Sequence, residues 1–209
     1  MRVTVLGGGS WGTTVASLVA HRHDTMLWAR NPDTAREINE AHTNEAYLSG
    51  FTLSPNLRAT DDLEAATRHA ELLIVGVPTG AVRSTLKTAS KWVAAWIPIV
   101  SLSKGFEQDT LLRMTEVIRQ EVPGRPVAAL TGPTIAREIM AGQAGARVLA
   151  TEDLSVAGEI QKGLHRGLRR VYTNHDVIGC ELGGALKNVV AIACGMAQGL
   201  GVGDNTRSM

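Results

Sequence analysis

The residues best placed to do chemistry are a glycine turn, two lysines and a second strand-to-helix turn. Gly7-Gly8-Gly9-Ser10-Trp11-Gly12 satisfies G-x-G-x-x-G directly after a β-branched run and directly before a helical pattern. The first glycine permits the tight turn, the second lets backbone approach a diphosphate, and the third lets helix pack on strand. The helix start adds free amides and partial positive charge for phosphates. That combination predicts a nicotinamide dinucleotide site, against the plainer reading of a simple strand–helix turn. Lys104 closes a strand in Ser101-Leu102-Ser103-Lys104-Gly105. Ligands of open α/β sheets sit at the carboxyl ends of strands, so Lys104 could reach both substrate and cofactor. Lys187 is the only charge between Glu181 and Asp204. A lysine in so apolar a stretch either snorkels to water or faces a functional cavity. In a cavity, burial and a neighbouring cation such as Lys104 would suit it to proton transfer near neutral pH. Asn188 beside it could orient a substrate hydroxyl or stand exposed. Thr131-Gly132-Pro133-Thr134-Ile135-Ala136 offers backbone amides and the Thr134 hydroxyl to a polar or anionic group, or is a plain helix cap.

The end of the second strand bears on which dinucleotide binds. NAD-binding folds usually carry a carboxylate there for the ribose 2′-hydroxyl. This chain reads Trp28-Ala29-Arg30-Asn31 instead. Arg30 can pair with a 2′-phosphate, which favours NADP(H) and leaves NAD(H) open; alternatively it is a solvated surface residue. The histidines are weaker candidates. His21 and His23 follow the first helix, His42, His69 and His165 lie in polar surroundings, and His175 opens the last helix as a cap or exposed residue.

Strand-like and helix-like stretches alternate around these residues. Strands are predicted at Val3–Leu6, Thr25–Trp28, Leu72–Val77, Ile97–Leu102, Val127–Leu130 and Ala146–Ala150. Helices are predicted at Trp11–His21, Ala81–Trp92, Thr110–Glu121, Ile135–Met140 and Leu154–Leu164. Apolar strands separated by helices imply an α/β fold with a mostly parallel, doubly wound sheet covered on both faces. From Asp176 to Leu200 the pattern is one long helix. A dinucleotide-binding domain over residues 1–174 is therefore expected, followed over 175–209 by the first helix of an all-helical substrate domain. That second domain does not fit in the remaining residues, so the chain is expected to be part of a longer protein.

Bulk properties narrow the partners. A net charge of +1 gives no electrostatic reason to expect nucleic acid or an anionic membrane. The apolar run Val189–Ala197 is too short to cross a bilayer. Cys180 and Cys194 lack metal-ligand spacing and are expected as buried thiols. The first ten residues read as a strand and a glycine turn, so they are not expected to be a signal peptide. A soluble, reducing, cytoplasmic setting is expected.

Together GGGSWGTTVA, LWARN, HTNEAYLSGFTLSPNLRATDDL, VGVP, SLSKGFE, LTGPTIAREI and NHDVIGCELGGALKNVVAIACGMAQGLGVGDNT closely resemble the bacterial-type NAD(P)-dependent sn-glycerol-3-phosphate dehydrogenase family. The resemblance implies a Rossmann-like fold and reversible reduction of dihydroxyacetone phosphate to sn-glycerol 3-phosphate for glycerophospholipid synthesis. It is compatible with a homodimer. By position it implies that Ser10, Trp11, Arg30 and Ala136 contact the cofactor and that Lys104 touches cofactor and substrate. Gly132 and Thr134 would touch substrate, and Lys187 would be the proton acceptor in oxidation and donor in reduction. The family's remaining substrate residues, an aspartate and a phosphate-gripping Ser-Arg-Asn cluster, would come later than Met209. A dianion without that arginine lacks a bidentate, charge-assisted partner. The 209-residue chain by itself is expected to turn over poorly while still binding NADPH. The alternatives are a dinucleotide-binding module without catalysis and a related β-hydroxyacid or sugar-nucleotide dehydrogenase.

Overall fold

Val3-Thr4-Val5-Leu6, β-branched and apolar, forms the middle of a sheet buried on both faces. The structure, a computed structural model, describes residues 1–164 and 170–208; His165 lies outside the described residues. The strands are β1 (Arg2–Leu6), β2 (Asp24–Trp28), β3 (Leu57–Thr60), β4 (Leu72–Val75), β5 (Ile99–Ser101), β6 (Val127–Thr131), β7 (Ala146–Ala150) and β8 (Arg170–Asn174). The helices are α1 (Ser10–Ala20), α2 (Pro32–Ala41), α3 (Glu45–Leu48), α4 (Leu63–His69), α5 (Thr79–Ala89), α6 (Met114–Glu121), α7 (Ala136–Met140), α8 (Leu154–Leu164), α9 (Val177–Gly199) and α10 (Asp204–Ser208).

The sheet order is β3-β2-β1-β4-β5-β6-β7-β8. All neighbouring pairs are parallel except β6–β7, so β7 and β8 run against the other six. The strand order reverses between β1 and β4, which opens a crevice at their carboxyl ends. Side chains alternate across the sheet, and each face has its own core. Val3, Val5, Leu27, Ile74 and Leu130 pack with Val15 of α1 and Ile160 of α8. Leu6, Leu73, Val75 and Ile99 pack with Leu86 of α5 and Val117 of α6 on the other face.

Local chemistry sets the helix starts. Asn31 caps α2 by accepting from Asp33 N at 2.9 Å, with Pro32 in the first turn. Asp62 caps α4 by accepting from Glu64 N and Ala65 N. Asp176 caps α9 by accepting from Gly179 N at 2.8 Å.

Several expectations needed correction. The antiparallel entry of β7, the edge strands β3 and β8, and the short helices α2, α3 and α4 were not foreseen. α6 starts at Met114 rather than Thr110, and α5 starts two residues earlier than expected, at Thr79, and ends three earlier, at Ala89. His69 does have polar neighbours, as expected: it hydrogen-bonds Thr4 Oγ1 at 3.1 Å and lies 3.2 Å from an Asp24 carboxylate oxygen. Cys180 is only partly buried and Cys194 is exposed, because α9 is largely uncovered; Val177 alone among its described residues is buried. At 23 residues α9 is long and apolar enough, by length and composition, to cross a membrane, which the shorter run read from sequence was not.

Candidate active site

The glycine turn connects β1 to α1 at the crevice. Gly7 has φ +127°, and a Cβ there would come within 2.7 Å of the Gly76 backbone beyond β4. A Cβ on Gly12 would fall 2.1 Å from the Gly7 carbonyl oxygen, so this position brings α1 onto the turn. Gly9 differs: nothing lies within 4 Å of where its Cβ would stand. It is the N-cap of α1 with no side chain capping it, so the first-turn amides face open space. An open groove of about 810 Å³ runs past this turn. Gly7, Gly9, Ser10, Trp11, Gly12, Arg30 and Lys104 all line it. This shape suits a bound diphosphate, with backbone donors at the helix start and no side chain in the way.

Arg30 is exposed on the rim and enters no ion pair among the described residues. No carboxylate accompanies it at the end of β2. Trp11 is half-buried, with its Nε1 enclosed and without a hydrogen-bond partner among the described residues.

Lys104 follows β5 and closes the groove. Its Nζ donates to the Gly132 carbonyl at 2.7 Å and to Thr134 Oγ1 at 2.9 Å, both neutral acceptors. Burial pushes its pKa below the ordinary lysine value, and the nearby charges of Lys187 and Arg147 push the same way. Gly132 adopts φ +122°, where a Cβ would meet the Ala146 carbonyl oxygen at 2.9 Å. The second turn is therefore folded onto β7 and presents Thr134 to Lys104.

α9 crosses the carboxyl end of β6 at close range. A Cβ on Gly184 would stand 3.0 Å from Thr131 Oγ1 and 3.6 Å from Lys104 Cγ. Glu181 and Lys187 lie one turn either side of Gly184 on the same helix face. The Glu181 carboxylate is taken up structurally, pairing with Arg113 at 2.8 Å and accepting from Thr115 N at 3.0 Å. Lys187 is exposed, the outcome of the two left open by its apolar setting in which the side chain reaches water, and donates to Asn188 Oδ1 at 2.7 Å. The site thus joins Lys104, Gly132 and Thr134 directly, with Lys187 and Asn188 on the adjoining helix. Ala136, half-buried at the start of α7, packs against the core near the sheet and lies outside the groove lining.

Two lining or supporting residues escaped sequence reasoning. Tyr47 of α3 stands exposed on the groove rim. Arg147 of β7 is 1% exposed, with its guanidinium 5.2 Å from the Trp11 ring centroid. A lone charge in the apolar strand Ala146–Ala150 is the same signal that singled out Lys187, and it pointed to Arg147 equally well.

Residues 2–157 match the family described as NAD-dependent glycerol-3-phosphate dehydrogenase N-terminus, and residues 176–209 match its C-terminus counterpart. A glycerol-3-phosphate dehydrogenase [NAD(P)+] of Sphingopyxis alaskensis is 51% identical over 208 residues, covering 100% of this chain and 62% of the relative. A Mycobacterium avium protein of the same name is 48% identical, covering 100% of this chain and 61% of the relative. The chain thus spans just over three-fifths of the length of these relatives. The crystal structure of glycerol-3-phosphate dehydrogenase from Coxiella burnetii superposes with a TM-score of 0.87 at 31% identity, covering 99% of this chain and 63% of that one. With the family models matching residues 2–157 and 176–209 and relatives of that name 48–51% identical across the chain, the chain belongs to the NAD-dependent glycerol-3-phosphate dehydrogenase family.

Proposed function

We propose that the protein interconverts dihydroxyacetone phosphate and sn-glycerol 3-phosphate with a nicotinamide dinucleotide, NADP(H) ahead of NAD(H). The observation that carries this reading is the close pass of α9 at Gly184 over Lys104 and Thr131, with the charge of Lys187 near enough to act on Lys104. Residues 1–174 hold the dinucleotide, and residues 175–209 begin the substrate domain.

The dinucleotide, when bound, supplies or accepts the hydride. Ser10, Trp11 and the first-turn amides hold its diphosphate side and Arg30 its 2′-phosphate; Ala136, outside the groove lining, is given no contact. Lys187 gives a proton to the substrate oxygen in reduction and takes it back in oxidation. Asn188 accepts from Lys187 and so fixes the ammonium's direction. Lys104, spending two donors on Gly132 and Thr134, has a third for the substrate. Lys104, Lys187 and the buried Arg147 give this end of the groove positive potential suited to a phosphorylated triose.

The ion pair of Glu181 with Arg113, and the placement of Lys187 beside Lys104, support α9 as the trunk of a helical domain rather than a membrane span. Two free thiols suit a cytoplasmic setting. The test is oxidation of NADPH and of NADH by the purified full-length protein with dihydroxyacetone phosphate. Turnover with either supports the reading. Dinucleotide binding without triose-phosphate-dependent turnover would leave a binding module and overturn it.

A further inference from the structure

Behind the glycine turn, away from the groove, lies the side chain of Asn44, 0% exposed. Its Nδ2 donates to the Gly8 carbonyl oxygen at 2.9 Å and to Thr13 Oγ1 at 2.9 Å. No described peptide bond is cis. Across a trans peptide the C=O and the following N–H point in opposite directions. Drawing the Gly8 oxygen inward therefore turns the Gly9 N–H outward. That amide has no hydrogen-bond partner among the described residues, and its Cβ direction is open.

Asn44 is itself held firmly. Glu37 of α2 accepts from Thr43 Oγ1 at 2.8 Å and from Glu45 N at 2.7 Å, gripping the residues on either side. The Asn44 carbonyl accepts from Leu48 N at 2.7 Å and starts α3, which carries Tyr47 to the groove rim. One residue thus ties the turn, the first turn of α1 and the Tyr47 helix together. Packing alone does not explain an amide here. Its Oδ1 is buried with no hydrogen-bond partner among the described residues, a disadvantage that an apolar side chain of similar size would remove.

We infer that Asn44 is a positioning residue for the dinucleotide: it sets the Gly8–Gly9 peptide so that the Gly9 N–H meets the diphosphate. This rests on the dinucleotide reading above. The test compares Asn44→Leu with the wild-type full-length protein. The expected result is a dinucleotide KM raised about 10-fold or more, with kcat at saturating dinucleotide within about twofold. Inhibition by ADP-ribose, which keeps the diphosphate, weakens in proportion, while inhibition by adenosine, which lacks it, does not change. Unchanged KM, or equal weakening of both inhibitors together with a fall in kcat, overturns the inference. Should the variant not fold, the wild-type Gly9 amide resonance decides: it moves on addition of ADP-ribose and stays on addition of adenosine. A Gly9 resonance indifferent to bound ADP-ribose also overturns it. Failure of the wild type to bind any dinucleotide would instead sink the underlying functional reading.

Discussion

Glu181 of α9 forms a buried ion pair with Arg113 at 2.8 Å, and this contact ties the lysine-bearing helix to the start of α6. The carboxylate also accepts from Thr115 N and Thr115 Oγ1, so its lone pairs are well used. Their side chains are only 7% and 14% exposed, which separates the pair from ordinary surface ion pairs. Removing one partner strands the other charge, so Glu181→Ala should destabilise by about 3 kcal/mol. Denaturant unfolding measures this. kcat should fall as well, because the helix face carrying Lys187 loses its anchor. A loss below about 0.5 kcal/mol would mean that the contact does not hold α9.

Gly184 is a point of close approach of α9 to Thr131 of β6. Gly184→Leu should push the helix off Thr131 and Lys104, lowering kcat by about 100-fold, as roughly 1 Å of misplacement can. Gly184→Ala should be much milder, since the Thr131 hydroxyl can rotate away from a single methyl 3.0 Å distant. Equal activity in both variants would show that Lys187 need not approach this closely.

Gly7, Gly9 and Gly12 were readable because Gly7 and Gly12 have no room for a side chain, Gly9 leaves space open beside the helix start, and spacing preserves those reasons. β4, and β1 after Arg2, were readable because both faces are buried and every residue is apolar or β-branched. β3 was not, since only Leu57 and Ala59 face the core and Arg58 stands exposed between them. The reversal at β7 depends on how the chain returns after α7, and strand composition carries no trace of it. Lys187 was found by its isolation in apolar sequence, but the choice between water and a cavity was not, because composition does not reveal what packs on a helix. Asn44 looked like a loop asparagine; only the fold places its amide behind the glycine turn.

Lys104 should shape the pH dependence. Burial lowers its folded pKa, with Lys187 and Arg147 contributing, so the folded state holds this proton less tightly than the unfolded chain. The resulting penalty on stability is fully present below the folded pKa and is relieved as pH rises toward the unfolded value of 10.5. In function the opposite matters: as Lys104 loses charge, the triose phosphate KM should rise at a lower pH than an ordinary lysine would give. Arg147→Met removes one repelling charge and should move that alkaline limb upward. An unmoved limb in pH–KM profiles would separate Arg147 from Lys104.

Arg30 should govern the choice of dinucleotide. Arg30→Ala should raise KM for NADPH about 10- to 100-fold, the loss of one charged hydrogen-bonding partner, and leave NADH nearly unchanged. Steady-state comparison of the two cofactors checks this. Equal shifts for both would place Arg30 outside the 2′-phosphate contact.

The central claim is that Lys187 moves the proton, and Lys187→Ala tests it most directly. Because the side chain is exposed and bonded only to Asn188 among the described residues, the variant should fold with near-normal Tm and bind dinucleotide normally. Its kcat for dihydroxyacetone phosphate reduction in the full-length protein should fall by about 10²- to 10⁴-fold. A folded variant that binds dinucleotide and keeps kcat within about twofold of wild type would contradict the account.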